Sequence, residues 1–284
     1  MIENKQFILG VGTQKSGTTW LWNYLNSRSD VDMGFMKEYH IFDALTVPDF
    51  IGFKHQVERN AYKCMNDGIG LAKLKQRNSL KRLAFMTDLN LYYDYFCARL
   101  FSNDIKVTGD LTPAYCALSV NTLQHIKANF QEKGIKVKPI FLIRDPVDRL
   151  YSQTKMQFRN FNIEPTIDEI IEIMHANITS KVTILRSNYE LTISSLVKVF
   201  GDDFFLAFYE TLFTPETIKD LCTFLEIEFV SADYKTKQNF SKVNFELPTQ
   251  VRNELMVEYK STYYFVGNYI GQDKLKQIWK HYSP

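Results

Sequence analysis

The chain is 284 residues long, with a formal net charge of +2, a hydrophobic fraction of 45% and a charged fraction of 23%. Such a length buries a substantial core, and such a composition belongs to a globular domain rather than a disordered or fibrous chain. Near-neutrality excludes a global basic field of the kind that gathers nucleic acid, so no nucleic-acid partner is expected and any anion site must be local.

Cys64, Cys97, Cys116 and Cys222 stand far apart with no CxxC pair. That spacing suits reduced thiols better than a zinc site or a disulfide framework. No apolar run reaches the length of a membrane span. The first strand-like run begins close to Met1 with no leader-like segment ahead of it, so a cytoplasmic location is the expectation.

Residues 6–11 (QFILGV) read as a short buried strand, residues 12–17 as a turn-rich loop, and residues 18–27 as a helix with Leu21, Trp22 and Leu25 at helical spacing. Strand, glycine-bearing loop and helix in that order open a parallel α/β sheet. A strand-like run follows at 31–36, and residues 54–100 read as mostly helical connections over the sheet.

Further on, a short strand at 105–109 ends in Asp110, and a helix covers 120–130. Residues 137–143 (VKPIFLI) form the second clear buried strand, stopped by Arg144-Asp145-Pro146. Pro146 suits the first turn of a helix running to about Phe158. Thr166 caps an amphipathic helix over 166–176, with Glu169 at capping-box spacing. A helix over 189–200 is closed by Gly201, residues 204–209 (FFLAFY) are a third strand, and helices are expected over 215–225 and 252–263. With no repeat and no linker, one domain over 1–284, α/β with a central parallel sheet flanked by helices, is the expectation.

Residues 12–20 (GTQKSGTTW) carry the first chemical signal. Backbone N–H groups of a glycine-bearing loop and of the helix start behind it hold phosphate oxygens, and Thr18 and Thr19 add hydroxyl donors. Against the ATP-binding pattern G-x-x-x-x-G-K-S/T, Gly12 and Gly17 are correctly spaced, but Thr18 stands where the lysine belongs. The lysine lies inside the loop instead, at Lys15, where it suits a ligand whose reacting group leaves from a single 5′-phosphate. Residues 143–152 (IRDPVDRLYS) carry the second signal: Arg144 sits at a strand end, where open α/β sheets make ligand contacts. Its guanidinium can grip a phosphate with two prongs, and Ser152, about two helical turns on, can reach the same anion.

These segments resemble the sulfotransferase superfamily. Gln14–Trp20 is similar to its 5′-phosphosulfate loop, usually PKSGTTW, with Gln14 in place of the proline. Arg144 and Ser152 match its 3′-phosphate segment. The resemblance implies a sulfuryl donor, 3′-phosphoadenosine 5′-phosphosulfate (PAPS), with the 3′,5′-bisphosphate PAP as product and no metal. It also implies a donor site of Lys15, Ser16, Gly17, Thr18, Thr19, Trp20, Arg144 and Ser152, with the Trp20 indole exposed to stack on adenine. Gln238–Lys242 falls where the family places a donor-covering loop, making Lys242 a phosphate-contact candidate.

Sulfuryl transfer needs alignment, a base for the acceptor proton and cations for the leaving phosphate. Residues 37–43 (KEYHIFD) supply Glu38, His40 and Asp43; in an extended stretch Glu38 and His40 would point to one side. The segment resembles the KExHFFD element of the heparan-sulfate-type carbohydrate branch, in which the Glu is the base and the His and Asp assist. A His base, as in the aryl and steroid branch, remains the competing assignment, since an unperturbed imidazole has the better pKa. Gly109–Tyr115 is similar to the acceptor-side Glu-Lys-Ser/Thr-Pro-x-Tyr element, with Asp110 for the Glu and Leu111 for the Lys. Losing that lysine argues against a highly anionic glycan acceptor. The expected acceptor is a small molecule or glycan hydroxyl or amine, with Asp43 and Asp110 on its side and a cleft built from residues 54–100 and the aromatic tail. The alternatives are a P-loop kinase using ATP and a PAP-binding regulator without turnover.

Overall fold

A computed structural model describes residues 5–68, 73–101, 104–235 and 245–282. Five strands, β1 (Gln6–Gly10), β2 (Val31–Asp32), β3 (Val107–Leu111), β4 (Lys136–Ile143) and β5 (Phe205–Phe208), form one sheet in the order 2-3-1-4-5. Every pairing is parallel. β1 is central because it is apolar on both faces: Phe7, Ile8 and Leu9 have no exposed surface. Phe7 and Leu9 enter one core, where Phe7 stacks on Phe130 at 4.0 Å between centroids. Ile8 enters the opposite core with Leu21, Leu25 and Leu221. Helices cover both faces.

Local signals place many helices where the sequence expects them. Thr18–Asn26 follows the first loop, and Tyr189–Phe200 ends at Gly201, whose φ of 62° glycine tolerates. Thr166 and Glu169 cap Ile167–Ile178 reciprocally. Residues 54–100 contribute the helices Ile51–Asp67, Leu74–Thr87 and Leu89–Arg99. No helix among the described residues is long and apolar enough to cross a membrane.

Several boundaries move. The strand expected over 31–36 stops at Asp32, whose carboxylate accepts the Gly34 N–H and turns the chain. The strand expected over 105–109 runs instead from Val107 to Leu111, which puts Asp110 inside the sheet rather than beyond it. The helix expected over 252–263 is two, Thr249–Glu258 and Lys260–Ile270.

β1 and β3 approach closely at Gly109, opposite Ile8. A Cβ added at Gly109 would lie 2.7 Å from the Ile8 carbonyl oxygen and 2.6 Å from the Ile8 Cβ, so strand would have to shift against strand. Gly109→Ala is expected to lower stability by about 1–3 kcal/mol, the usual cost of overpacking. Denaturant unfolding of the variant measures this, and an unchanged midpoint would show that the sheet adjusts freely.

Candidate active site

β1 and β4 pair directly, with Gly10 opposite Ile140, and the loops after both strands leave from the carboxyl edge of the sheet. The pairing continues past the end of β1: Val11 N–H donates to the Ile140 carbonyl at 2.9 Å and Leu142 N–H to the Gly12 carbonyl at 2.9 Å. Connections from β1 and β4 run to opposite sides of the sheet, which makes this the crevice where open α/β sheets bind ligands. Arg144 therefore meets the first loop although 129 residues separate it from Lys15, and its Nη1 donates to the Lys15 carbonyl at 3.3 Å. A cavity of about 710 Å³ opens there, lined by Gln14, Lys15 and Gly17–Trp20, by Lys37 and Glu38, by Arg144 and Ser152, and by Gln277–His281.

The first loop is held in a left-handed shape, with φ of 74° at Lys15 and 89° at Gly17. At Gly17 a Cβ would meet Leu212 Cδ2 at 2.5 Å, so only glycine satisfies both backbone and packing. The Lys181–Ser187 helix braces the loop from behind: Arg186 Nη1 donates to Gln14 Oε1 at 2.8 Å, and Thr13 Oγ1 donates to the Arg186 carbonyl at 2.6 Å. No side chain caps the Thr18–Asn26 helix, and the Ser16 hydroxyl is buried with no partner. Unspent donors in a left-handed loop at a helix start fit a bound anion.

Arg144 is fixed by three contacts. Tyr189 donates to its carbonyl at 2.8 Å, its guanidinium lies 4.1 Å from the Tyr209 ring centroid, and Nη1 is tied to Lys15, while its buried Nε has no partner. Asp145 caps the Pro146–Asn160 helix through the Val147 and Asp148 N–H groups and accepts from the Tyr263 hydroxyl at 2.9 Å. Ser152 faces the same cavity from this helix. Burial lowers the Lys15 ammonium most, Arg159, Arg144, Lys155 and Lys37 add to it in that order, and together they bring it to about 8. Several cations thus act on one half-buried lysine.

Glu38 and His40 meet, but not along an extended strand: both are left-handed, with φ of 33° and 50°. His40 Nδ1 lies 2.6 Å from Asp43 Oδ2, its Nε2 lies 3.6 Å from Glu38 Oε2, and its ring stacks on Phe53 at 3.6 Å. Lys37 pairs with Glu38. Burial pushes Glu38 up, yet His40 and Lys37 outweigh it and hold the carboxyl at about 2. Burial likewise pulls His40 down, and Asp43 and Glu38 outweigh it, so the imidazole is raised above 6.5. Glu38 stands on the cavity wall with 37% of its side chain exposed, whereas His40 and Asp43 lie behind it.

Other positions differ from the sequence expectation. Asp110 is removed from acceptor contact: it is fully buried and accepts from Tyr92 at 3.0 Å, Tyr115 at 2.8 Å and Thr112 at 2.6 Å. Burial raises its carboxyl to about 6 even so. Its partners hold the neighbouring segment, because Thr112 Oγ1 accepts the His40 N–H and Tyr115 Oη the Ile41 N–H. Asp43, also fully buried, orients His40 rather than reaching into the cavity. Trp20 is not an exposed indole: only 5% is accessible, its Nε1 donates to the Asp233 carbonyl at 3.0 Å, and Phe213 packs edge-on at 5.0 Å. It lines the cavity by what remains. Residues 54–100 supply none of the described lining; the C-terminal segment supplies Gln277–His281. Lys242 lies outside the described residues.

Glu210 escaped sequence reasoning. It lines the cavity, accepts the Asp145 N–H at 2.9 Å and the Trp279 indole N–H at 3.3 Å, and is pushed by burial to about 7. Its place just after β5 was the available signal, since strand ends on that edge face the crevice.

A model of the sulfotransferase family matches residues 7–231. The chain belongs to the sulfotransferase family. A sulfotransferase from Alicyclobacillus acidocaldarius shares its fold, with a TM-score of 0.58 at 20% identity over 94% of this chain and 95% of that one. More distant are a sulfotransferase domain from the curacin biosynthetic pathway (TM-score 0.45, 12% identity, 80% and 75% covered) and a sulfotransferase from Mycobacterium avium (0.39, 12%, 90% and 68%). No curated protein matches the sequence. The sulfotransferase thus sets its cavity at the same sheet edge as its two anion-suited loops.

The His40 raise has a consequence for stability. A histidine raised in the folded state contributes stability that is full below its unfolded value of about 6.5 and is lost as pH rises through the folded value. Denaturant unfolding between about pH 5.5 and 9 is expected to show stability falling with rising pH. In Asp43→Asn that fall should be markedly shallower, and an identical slope would mean that Asp43 does not set the charge on His40.

Proposed function

We propose that this sulfotransferase moves a sulfuryl group from PAPS to an acceptor hydroxyl or amine and releases PAP. The observation that carries the reading is the meeting of Lys15 and Arg144 in one cavity, through the 3.3 Å bond between Arg144 Nη1 and the Lys15 carbonyl. A nucleotide phosphorylated on both its 3′ and 5′ oxygens has two anionic ends, and the cavity has two cationic ends to match. The Lys15–Thr19 loop receives the 5′-phosphosulfate, and Arg144 with Ser152 the 3′-phosphate. Trp20 borders the nucleotide with one edge.

Lys15 sits at the 5′ end, where negative charge grows on the phosphate as its bond to sulfur breaks. Glu38 takes the acceptor proton while the acceptor oxygen or nitrogen bonds to sulfur, and PAP departs with the bridging oxygen. A carboxylate held at about 2 is a weak base. It suffices late in transfer, when the attacking atom already carries positive character and has become strongly acidic. His40, fixed by Asp43, keeps Glu38 ionised and aimed. Position supports Glu38 over His40 as the base, since Glu38 is on the wall and His40 behind it. Support for a carbohydrate acceptor comes from residues 37–43 and their likeness to the carbohydrate branch.

Calorimetry without magnesium tests the donor: PAP should bind, with ATP and 5′-AMP at least tenfold weaker. Arg144→Ala should cost PAP about 1.5–3 kcal/mol, the worth of a charged hydrogen bond. Magnesium-dependent binding of ATP in preference to PAP would sink the donor assignment.

The base and the lysine are tested by turnover. Glu38→Gln should keep PAP affinity while turnover falls by roughly 10²-fold or more. In the wild type kcat/KM for PAPS should decline above about pH 8, as Lys15 loses its proton in the free enzyme. Lys15→Arg should carry that decline to higher pH; an unmoved limb would assign it to another group.

A further inference from the structure

Gln14 stands beside Lys15 in the first loop and lines the same cavity. Its side-chain oxygen is already engaged, because Arg186 Nη1 donates to Oε1 at 2.8 Å. A guanidinium carries donors and no acceptor, so the amide turns its oxygen, not its nitrogen, toward Arg186. The flipped amide would set donor against donor. The NH2 group therefore points away from Arg186, and no acceptor among the described residues takes its hydrogens.

Arg186 is itself held in place. Its carbonyl accepts from Thr13 Oγ1 at 2.6 Å, and its guanidinium lies 5.6 Å from the Phe50 ring centroid. Phe50 packs against Phe53 at 6.1 Å, and Phe53 stacks on His40, the neighbour of Glu38. Through these rings the Gln14 brace adjoins the segment that carries Glu38. On the other side of Lys15 in the chain, Ser16 and Gly17 lead into the start of the Thr18–Asn26 helix, where phosphate oxygens bind. The loop thus runs from phosphate, through Lys15 at the junction, to Gln14 on the side of the base. Two amide hydrogens aimed in advance need no rearrangement when a charged oxygen arrives.

We propose that Gln14 is a donor-site residue whose NH2 group donates to the sulfuryl oxygens of PAPS, with Arg186 as the positioning residue that aims it. The inference rests on the sulfuryl-transfer reading and adds a contact to the group that is transferred. Related loops usually carry proline at this position, which has no side-chain donor, whereas this chain carries an amide. The contact lies on the part of PAPS that PAP lacks. It steadies the sulfuryl group between the leaving phosphate and Glu38.

Calorimetry on the full chain without an acceptor compares PAPS with PAP, and their affinity ratio reports contacts to the sulfuryl group. Gln14→Met removes the NH2 group at nearly constant length and should lower the PAPS-to-PAP ratio about tenfold. Gln14→Glu is the sharper variant. Its carboxylate keeps an oxygen for Arg186, so the loop stays braced, yet it faces the sulfuryl oxygens with an acceptor. The ratio should fall by about tenfold or more while thermal unfolding stays unchanged. Arg186→Met should lower the ratio as well. Combined with Gln14→Met its loss should not add, because both variants remove one contact. A ratio unmoved in both Gln14 variants would overturn the proposal and leave Gln14 as a brace for the loop. Equal weakening of PAPS and PAP would overturn it too, since the amide would then serve the 5′-phosphate. Losses that add in full would take the positioning role from Arg186. A wild type that binds neither PAPS nor PAP would strike the sulfuryl-transfer reading instead.

Discussion

The parallel pairing of β1 with β4 is the constraint on which the site depends. Gly10 lies opposite Ile140, and the pairing with β4 continues through Val11 and Gly12 past the end of β1. Because both strands run in one direction, the loops that leave them emerge at one edge, and Lys15 and Arg144 come within a hydrogen bond. Neither loop alone brings both Lys15 and Arg144 to the cavity. The pairing in turn needs a central strand apolar on both faces, which Phe7, Ile8 and Leu9 provide.

A second layer of order lies under residues 38–41. Their left-handed backbone at Glu38 and His40 is costly for side chains other than glycine, and surrounding contacts must over-determine it. Those contacts are Thr112 on the His40 N–H, Tyr115 on the Ile41 N–H, and Arg82 Nε on the Tyr39 carbonyl at 2.5 Å. Asp110 anchors two of them from below. Its three hydroxyl donors offset burial only in part, since the carboxyl still rises to about 6. A carboxylate placed so deep steadies the backbone around His40 and Ile41.

Electrostatics shapes the cavity. Lys15 and Arg144 bring positive charge to it from the two loops, while Asp145 and Glu210 lie beside Arg144. Glu210 and Asp145 are joined by a backbone N–H and capped by Trp279 and Tyr263, which ties the C-terminal segment to the Arg144 side of the cavity. The tail thus helps to shape a cavity whose other walls come from loops far earlier in the chain.

Much of this was legible in the sequence. Apolar runs at β1 and β4, a glycine loop with its lysine displaced to Lys15, and an arginine at a strand end depend on local pattern, and local pattern marks out strands, turns and caps. Helix ends at Thr166 and Gly201 were readable for the same reason. Side-chain depth was not readable. Asp110 looked like a site residue because its segment resembles the acceptor-side element of the family, and it is buried because the strand runs one residue past it. Trp20 looked exposed because it begins a helix, and Phe213 and Asp233, nearly two hundred or more residues away, cover it. Arg159, Arg186 and Glu210 carry no local motif; they matter through neighbours distant in sequence. Local sequence by itself determined the elements and the two anion-suited loops, because turn, cap and apolar pattern act over a few residues. Only the tertiary structure decided which charges share a cavity, because strand order and burial are properties of the whole packed chain.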